Sequence, residues 1–335
     1  MLDKTEKKKL SILRILNKAN QPMGSSRITE QLKAAGYEVS ERTVRHYLLG
    51  MDREGLTELS GKRGRRISGL GLKELEESHV IEKVGFLAAK IDQMTYNMDF
   101  DLQKRRGSVI LNVSLINRAQ LKNAAPYITS VFEAGYSMGN LMVLLKPGDK
   151  FGDMIIPEKM VGIGTVCSVS LNGMLLANKI PTHSRFGGLL ELRDKKAQRF
   201  VEIITYEGTS IDPLEIFIRS GMTDYRGAVK SGNGRIGVGF REVPSDSLDR
   251  VSDLAARMER IGLGNIFMIG WPGQPLLDIP VSEGRLGMIV MGGLNPAAII
   301  EETAIKVHSR ALAGFADYEM LFPYWEMEER IQALD

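Results

Sequence analysis

Apolar positions Leu10, Ile12, Leu13, Ile15 and Leu16 fall on one side of a 3.6-residue period, and this predicts a helix over residues 5–18. The chain breaks at Gln21-Pro22-Met23-Gly24. Ser25 or Ser26 then supplies a helix cap for Arg27-Ile-Thr-Glu-Gln-Leu-Lys-Ala-Ala-Gly36, which Gly36 ends. Ser40 caps a third helix that runs to about Gly55, in which Val44, Leu48 and Met51 recur at i, i+4 and i+7. Leu56 and Leu59 open a strand, Gly61 to Arg66 form a basic turn, Ile67 starts the return strand, and Gly71 opens another helix. From residue 79 the positions Val84, Phe86, Leu87, Ile91 and Met94 keep a helical period, which predicts a connecting helix and linker over 79–107.

Beyond residue 107 the pattern alternates between short apolar runs and amphipathic stretches, and it does so twice. A strand (VILNVSLI), a helix (LKNAAPYITSVFEAG), a strand (LMVLLKP), a second strand (IGTVCSVS) and a helix (GMLLANKI) lead to His183-Ser184-Arg185. The same order returns as RIGVGFREV, SLDRVSDLAARMERIG, IFMIGWP, LGMIVMGG and PAAIIEETAIK, ending at His308-Ser309-Arg310. Gly139-Asn140 and Gly264-Asn265, Pro147-Gly148 and Pro272-Gly273, and Leu171-Asn172 and Leu294-Asn295 keep the order with nearly constant offset. We read an internal duplication covering about 108–190 and 233–315 within a domain of 108–335. The fold class is α/β (α+β), with helices on a mixed sheet and a cleft between the halves. The intervening segment 200–234 reads as strand-rich.

Charge changes the picture at the N-terminus. The chain has 335 residues and a net charge of +3, but residues 1–66 hold fifteen Lys/Arg against eight Asp/Glu, a local +7 on a body of −4. A basic module on a mildly acidic body points to a polyanionic partner. Residues 1–78 resemble the winged helix-turn-helix family of transcription regulators, with double-stranded DNA as the expected partner. Ser40, Arg42, Thr43, Arg45 and His46 start the recognition helix, the part that reaches base edges. Lys62, Arg63, Arg65 and Arg66 form a basic wing suited to phosphates. A solvated basic face is the plainer alternative. His46 has no second ligand at a metal spacing, so no metal is expected. One cysteine excludes an internal disulfide and suits a reducing cytoplasm. No apolar run reaches the ~18 residues of a membrane helix, and the N-terminus lacks a secretory cleavage pattern.

Two motifs look catalytic and are read otherwise. Gly135-Tyr-Ser-Met-Gly139 resembles a nucleophile elbow, but a helix precedes it and a strand follows, the reverse of what that motif requires. Gly232-Asn-Gly-Arg-Ile-Gly237 resembles a dinucleotide fingerprint but leads into a strand, so a hairpin turn fits better. Cys167 reads as a buried mid-strand residue. No enzyme is expected, and no cofactor. The alternatives left open are a metabolic enzyme fused to a winged-helix regulator, and a ligand-free oligomeric DNA-binding protein.

An anion site is expected in the first copy. Asn172 reads as an N-cap with Gly173 as the first helical residue, and a helix start offers free N–H groups. In the second copy Pro296 removes one such donor. Ser184, Arg185, Phe186, Gly187 and Gly188 add a hydroxyl, a guanidinium and open backbone; Thr165, Cys167 and Ser168 make the preceding strand more polar than its copy. Because His-Ser-Arg occurs in both copies, a structural ion pair or cap is the competing role for Ser184 and Arg185.

The run GTVCSVSLNGMLLANKIPTHSRFGGLLEL, the later GLNPAAIIEE and SRALAGFADYEMLF, and the leading winged module together resemble the NrpR family of nitrogen-regulatory repressors. The resemblance covers nearly the whole chain and implies a homodimeric repressor of nitrogen-assimilation genes on palindromic operators. It implies one effector domain, acting alone or with a second family member. It further implies 2-oxoglutarate, a small dicarboxylate, as the effector that weakens the grip on DNA.

Overall fold

The computed structural model describes residues 4–19, 21–82, 86–303 and 305–334. It divides into two compact units, residues 1–84 and 85–335. Val84, part of the expected connecting helix, lies outside the described residues.

The first unit is helical with a small ribbon: α1 (Lys4–Ala19), α2 (Ser25–Ala34), α3 (Glu41–Arg53), β1 (Thr57–Leu59), β2 (Arg65–Ile67) and α4 (Gly69–Glu82). The apolar stripe of α1 meets Ile28 and Leu32 of α2 and Val44, Leu48 and Met51 of α3 in one buried core. Strands β1 and β2 pair antiparallel, and the backbone of Met23 hydrogen-bonds Arg65 on β2. Ser40 caps α3 as expected, its side chain accepting from the Thr43 N–H at 3.1 Å. The cap of α2 differs from expectation. Gly24 stands at the N-cap and no side chain caps the helix. Ser25 instead donates to Glu41 Oε1 at 2.9 Å, tying α2 to α3.

The second unit opens with α5 (Phe86–Asn97), so the C-terminal part of the expected connector belongs to the body. There follow β3 (Ser108–Asn117), α6 (Leu121–Glu133), β4 (Leu141–Leu145), the short hairpin β5 (Lys150–Phe151) and β6 (Met154–Ile155), β7 (Met160–Val166), α7 (Val169–Ala177), β8 (His183–Arg193) and β9 (Lys196–Thr205). Of the segment 200–234, read as strand-rich, residues 200–205 belong to β9, but 206–233 hold two short helices, α8 (Pro213–Arg219) and α9 (Tyr225–Ser231). Asp212 caps α8 and Pro213 takes its first position, a start that a strand reading of Ile211–Arg219 overlooks. Gly232, in left-handed conformation at φ 78°, ends α9 and turns the chain into a strand, so this glycine-rich run is a helix stop rather than a hairpin. The order then recurs as β10 (Gly234–Pro244), α10 (Leu248–Arg260), β11 (Ile266–Ile269), β12 (Arg285–Met291), α11 (Asn295–Glu301) and β13 (Val307–Asp317), closed by β14 (Phe322–Pro323) and α12 (Met327–Gln332).

The strands form two five-stranded sheets, ordered β13-β3-β7-β4-β14 and β11-β12-β10-β8-β9. Every recorded pairing in them is antiparallel, where a mixed sheet was expected. Each repeat has the β-α-β-β-α-β order of a ferredoxin-like unit. Its last strand leaves. β8, from the first copy, pairs with β10 of the second; β13, from the second, pairs with β3 of the first. The halves are therefore laced together by exchanged strands, where a cleft was expected between them.

Candidate functional site

On the first unit, Arg42, Arg45 and His46 project from the exposed side of α3, and Arg63 and Arg66 are exposed on the wing. Thr43 is half-buried and shares a 2.8 Å hydrogen bond with the exposed Ser40 hydroxyl. The side chain of Lys62 lies outside the described residues. Arg45 is partly committed, donating to Glu41 at 2.7 Å and to Ser25 at 3.2 Å. Arg66 pairs in solvent with Glu58. Arg65 differs from the wing residues around it. Its Nε donates to both oxygens of Asp52, at 3.1 and 2.8 Å, with its side chain 16% exposed. This pair fastens the ribbon to α3, a structural task that the count of basic residues in the turn does not reveal.

In the body, the end of β7 delivers Cys167 and Ser168 to the start of α7. Ser168 is the N-cap and Asn172 lies one turn inside the helix, so the expected Asn172 cap, with Gly173 first in the helix, is incorrect. The apolar run continues into the helix because Val169 and Leu171 are buried helical positions. Asn295 likewise begins α11 without capping it, and it is spent on Tyr136 O, Gly237 O and the Tyr225 hydroxyl. Cys167 sits one residue past the strand, buried, and burial pushes its thiol up to about 12, far from a reactive thiolate.

What Asn172 does is hold an arginine. Arg241 of β10 is 1% exposed. Its Nε donates to Asn172 Oδ1 at 2.7 Å and its Nη2 to Ser168 Oγ at 2.9 Å. Asn172 Nδ2 passes the chain on to Ser184 Oγ at 2.9 Å. Nη1 of Arg241 is buried and has no hydrogen-bond partner among the described residues. Both partners that the guanidinium has are neutral, and burial presses its pKa below the ordinary value. Above Nη1 lies Gly239, two residues back on the same strand face. A Cβ there would stand 2.8 Å from Nη1 and 3.2 Å from the Tyr206 hydroxyl, so only glycine leaves this space. Burial raises the Tyr206 pKa. Burial, and then Glu215, push the nearby Asp212 carboxyl up to about 6.

A buried cation with an unused donor between a phenol and a glycine is chemically an anion receptor. Ser168, Asn172 and Ser184 come from the first copy, Arg241 from the second, and Tyr206 and Asp212 from the segment between. Sequence reasoning reached the first three and missed the others. The available signal was Arg241 itself, a cation in the apolar strand RIGVGFREV, whose partner strand in the first copy has no charge there.

The remaining expected residues have packing partners. Arg185 pairs with Glu242, which is 0% exposed, through Nη1–Oε1 at 2.7 Å, and also donates to Pro280 O at 2.5 Å. Thr165 donates to Gly293 O at 2.6 Å, joining the copies. Phe186 stacks on Phe240 at 5.0 Å between centroids. A Cβ on Gly187 would meet Pro213 at 2.6 Å, and one on Gly188 would meet the Phe200 ring at the same distance. Gly173 receives Met98 in the same way, at 2.7 Å. These glycines are places of close packing, and the β8 backbone is taken up by pairing on both edges. Open cavities of about 560 and 480 Å³ lie elsewhere on the body, lined by Asn117, Lys122 and Lys159 among others in one, and by Glu191, Arg199 and Arg235 among others in the second. Among the described residues no cluster of His, Cys, Asp and Glu suits a metal ion, and no helix is long and apolar enough to cross a membrane.

A winged helix-turn-helix followed by a strand-exchanged duplicate body defines a winged-helix transcription regulator. Residues 84–322 match the family model of the NrpR regulatory domains NRD1 and 2, and residues 10–75 match that of the ribonuclease R winged-helix domain. The chain belongs to the NrpR family. It is 30% identical to the global nitrogen regulator NrpRI of Methanosarcina mazei over 94% of this chain and 97% of that one. It is 33% identical to the global nitrogen regulator NrpR of Methanocaldococcus jannaschii, over 94% of this chain but 55% of that protein's length. The crystal structure of a nitrogen repressor-like protein from Methanococcus jannaschii superposes with a TM-score of 0.61 at 25% identity, covering 70% of this chain and 97% of the other. The relatives are named regulators, and this chain is a regulator and not an enzyme.

Proposed function

We propose that the protein is a cytoplasmic, homodimeric repressor of nitrogen-assimilation genes that binds palindromic operators through α3 and the wing. We further propose that 2-oxoglutarate relieves repression by binding at Arg241. The observation that carries the effector assignment is the unpartnered, buried Nη1 of Arg241 facing the Tyr206 hydroxyl across Gly239. A carboxylate there completes the guanidinium's hydrogen bonding and neutralises a charge that is otherwise stranded. Ser168 and Asn172 hold the guanidinium plane in place, and Tyr206 is positioned to donate to a second oxygen. A ligand shifts the DNA-binding equilibrium only by its preference for one conformation, so the site must differ between repressing and released states.

The test is an operator titration of the wild type and of Arg241→Met at fixed salt, with and without 2-oxoglutarate. The wild type loses operator affinity on adding the ligand, and Arg241→Met does not respond. An unchanged wild-type affinity removes the effector assignment. A variant that responds like the wild type removes Arg241 as its receptor.

A further inference from the structure

Tyr206 has two surroundings at once. Its hydroxyl and Nη1 of Arg241 both border the space over Gly239. Its ring is buried in a cluster with Leu87, Ile91 and Met94, the buried face of α5, together with Cys167 and Leu312. This cluster is separate from the two large cores that bind the sheets and their helices. The helix α5 is thus fastened by a small apolar patch of its own, and the patch is built around the residues that flank Arg241. Met98, just past the C-terminal end of α5, seats against Gly173 on α7, the same helix that carries Asn172. The chain enters the body through α5, three residues after α4 of the winged-helix unit ends.

We infer that Tyr206 is the residue that couples the anion site to α5, so that an anion at Arg241 loosens the seat of the helix that follows the DNA-binding unit in the chain. This rests on the reading of Arg241 as the receptor. The space over Gly239 is bounded by the Tyr206 hydroxyl, and an oxyanion entering it takes that hydroxyl as a donor and shifts it. The ring moves with its hydroxyl, because a phenol is rigid. Leu87, Ile91 and Met94 then lose part of the surface they pack on. The relation is reciprocal: whatever loosens α5 also favours the anion. A small cluster of this kind is a weak enough fastening for a small ligand to shift, which the main cores are not.

Hydrogen exchange of the full chain with and without 2-oxoglutarate, read beside calorimetric titration of the same samples, tests this. Saturating ligand raises amide exchange across residues 86–97 about threefold or more, while strands β3 and β10 are unchanged. Tyr206→Phe, which keeps the ring but removes the hydroxyl that meets the ligand, binds it more weakly and, at saturating ligand, loses that response. Ile91→Ala, which trims an anchor away from Arg241, binds the ligand about fivefold more tightly, as reciprocity demands. Binding with no change at 86–97 overturns the coupling and leaves the Arg241 receptor standing. So does an Ile91→Ala variant of wild-type or weaker affinity. A Tyr206→Phe variant that keeps the full response overturns the role of that residue. No binding to the wild type overturns the receptor and the coupling together.

Discussion

Arg241 on β10 donates to Asn172 on α7 at 2.7 Å across 69 residues of sequence, and the bond crosses the junction between the two repeats. Neither residue has a charged partner at that bond. Asn172 is the fixed part, since its amide is also held by Ser184. Replacing Arg241 by Met therefore removes a buried charge that no carboxylate hydrogen-bonds, and unfolding free energy changes by less than about 2 kcal/mol. Ligand affinity measured by calorimetry falls at least about 30-fold, the usual effect of deleting a buried charged donor. Loss of folding in this variant would contradict the argument.

Arg185 gives the opposite result. Its partner Glu242 is fully buried, and one of its oxygens, Oε2, is already without a hydrogen bond. Burial drives that carboxyl upward, but the Ser282 hydroxyl and N–H and the Arg185 guanidinium outweigh it and hold it below its ordinary value. Arg185→Ala strands the charge and costs about 3 kcal/mol in chemical denaturation. Adding Glu242→Gln to Arg185→Ala recovers part of that loss, and a double variant no more stable than the single one would show that the pair is not the cause.

The two adjacent wing arginines separate in the same manner. Arg65→Ala breaks the doubly bonded pair with Asp52 and lowers the stability of the first unit by about 1–2 kcal/mol, seen as an earlier thermal transition. Arg66→Ala leaves that transition in place, because its pair with Glu58 is exposed. If Arg66 meets a phosphate, its loss reduces the slope of log affinity against log salt by about one.

Asp212 sets a pH dependence. Its carboxyl holds a proton up to about pH 6 in the folded body, against 3.8 as the ordinary value. Between these values the native state binds more protons than the unfolded chain, so stability falls as pH rises through the window and the loss is complete above it. Asp212→Asn keeps a cap for α8 and removes the penalty. Denaturation at pH 7 should show the variant more stable by on the order of 2 kcal/mol, with no difference at pH 4. Equal stability at both pH values would mean that Asp212 is not perturbed.

The periodicity of the chain was enough to place most elements because their burial is regular: Val44, Leu48 and Met51 are all buried where the helical spacing puts them. Capping was less legible. Ser40 and Asn172 look alike in sequence, each before a helical run, yet only Ser40 has an exposed start to satisfy. At Asn172 the buried residues Val169 and Leu171 extend the helix back to Ser168. The receptor was half legible for a similar reason. Local strings carry Ser168, Asn172 and Ser184, whereas Arg241 and Tyr206 reach them only through strand pairing between distant segments. A buried Arg185 pair was the competing role from the start, and Glu242, its partner, is likewise supplied by a strand 57 residues away.

The exchange of β8 and β13 makes the body a domain swap closed upon itself within one chain. Each sheet is completed by a strand supplied by the other copy, so neither copy holds its full sheet from its own residues. Residues 86–232 and 233–334 produced as two polypeptides should stay unfolded apart and combine into one heterodimer on mixing, with the Arg241 receptor appearing only in the mixture. The Arg241–Asn172 contact is in this sense a property of the exchange, and the lacing of the copies is what places a cation of one against the amide of the other.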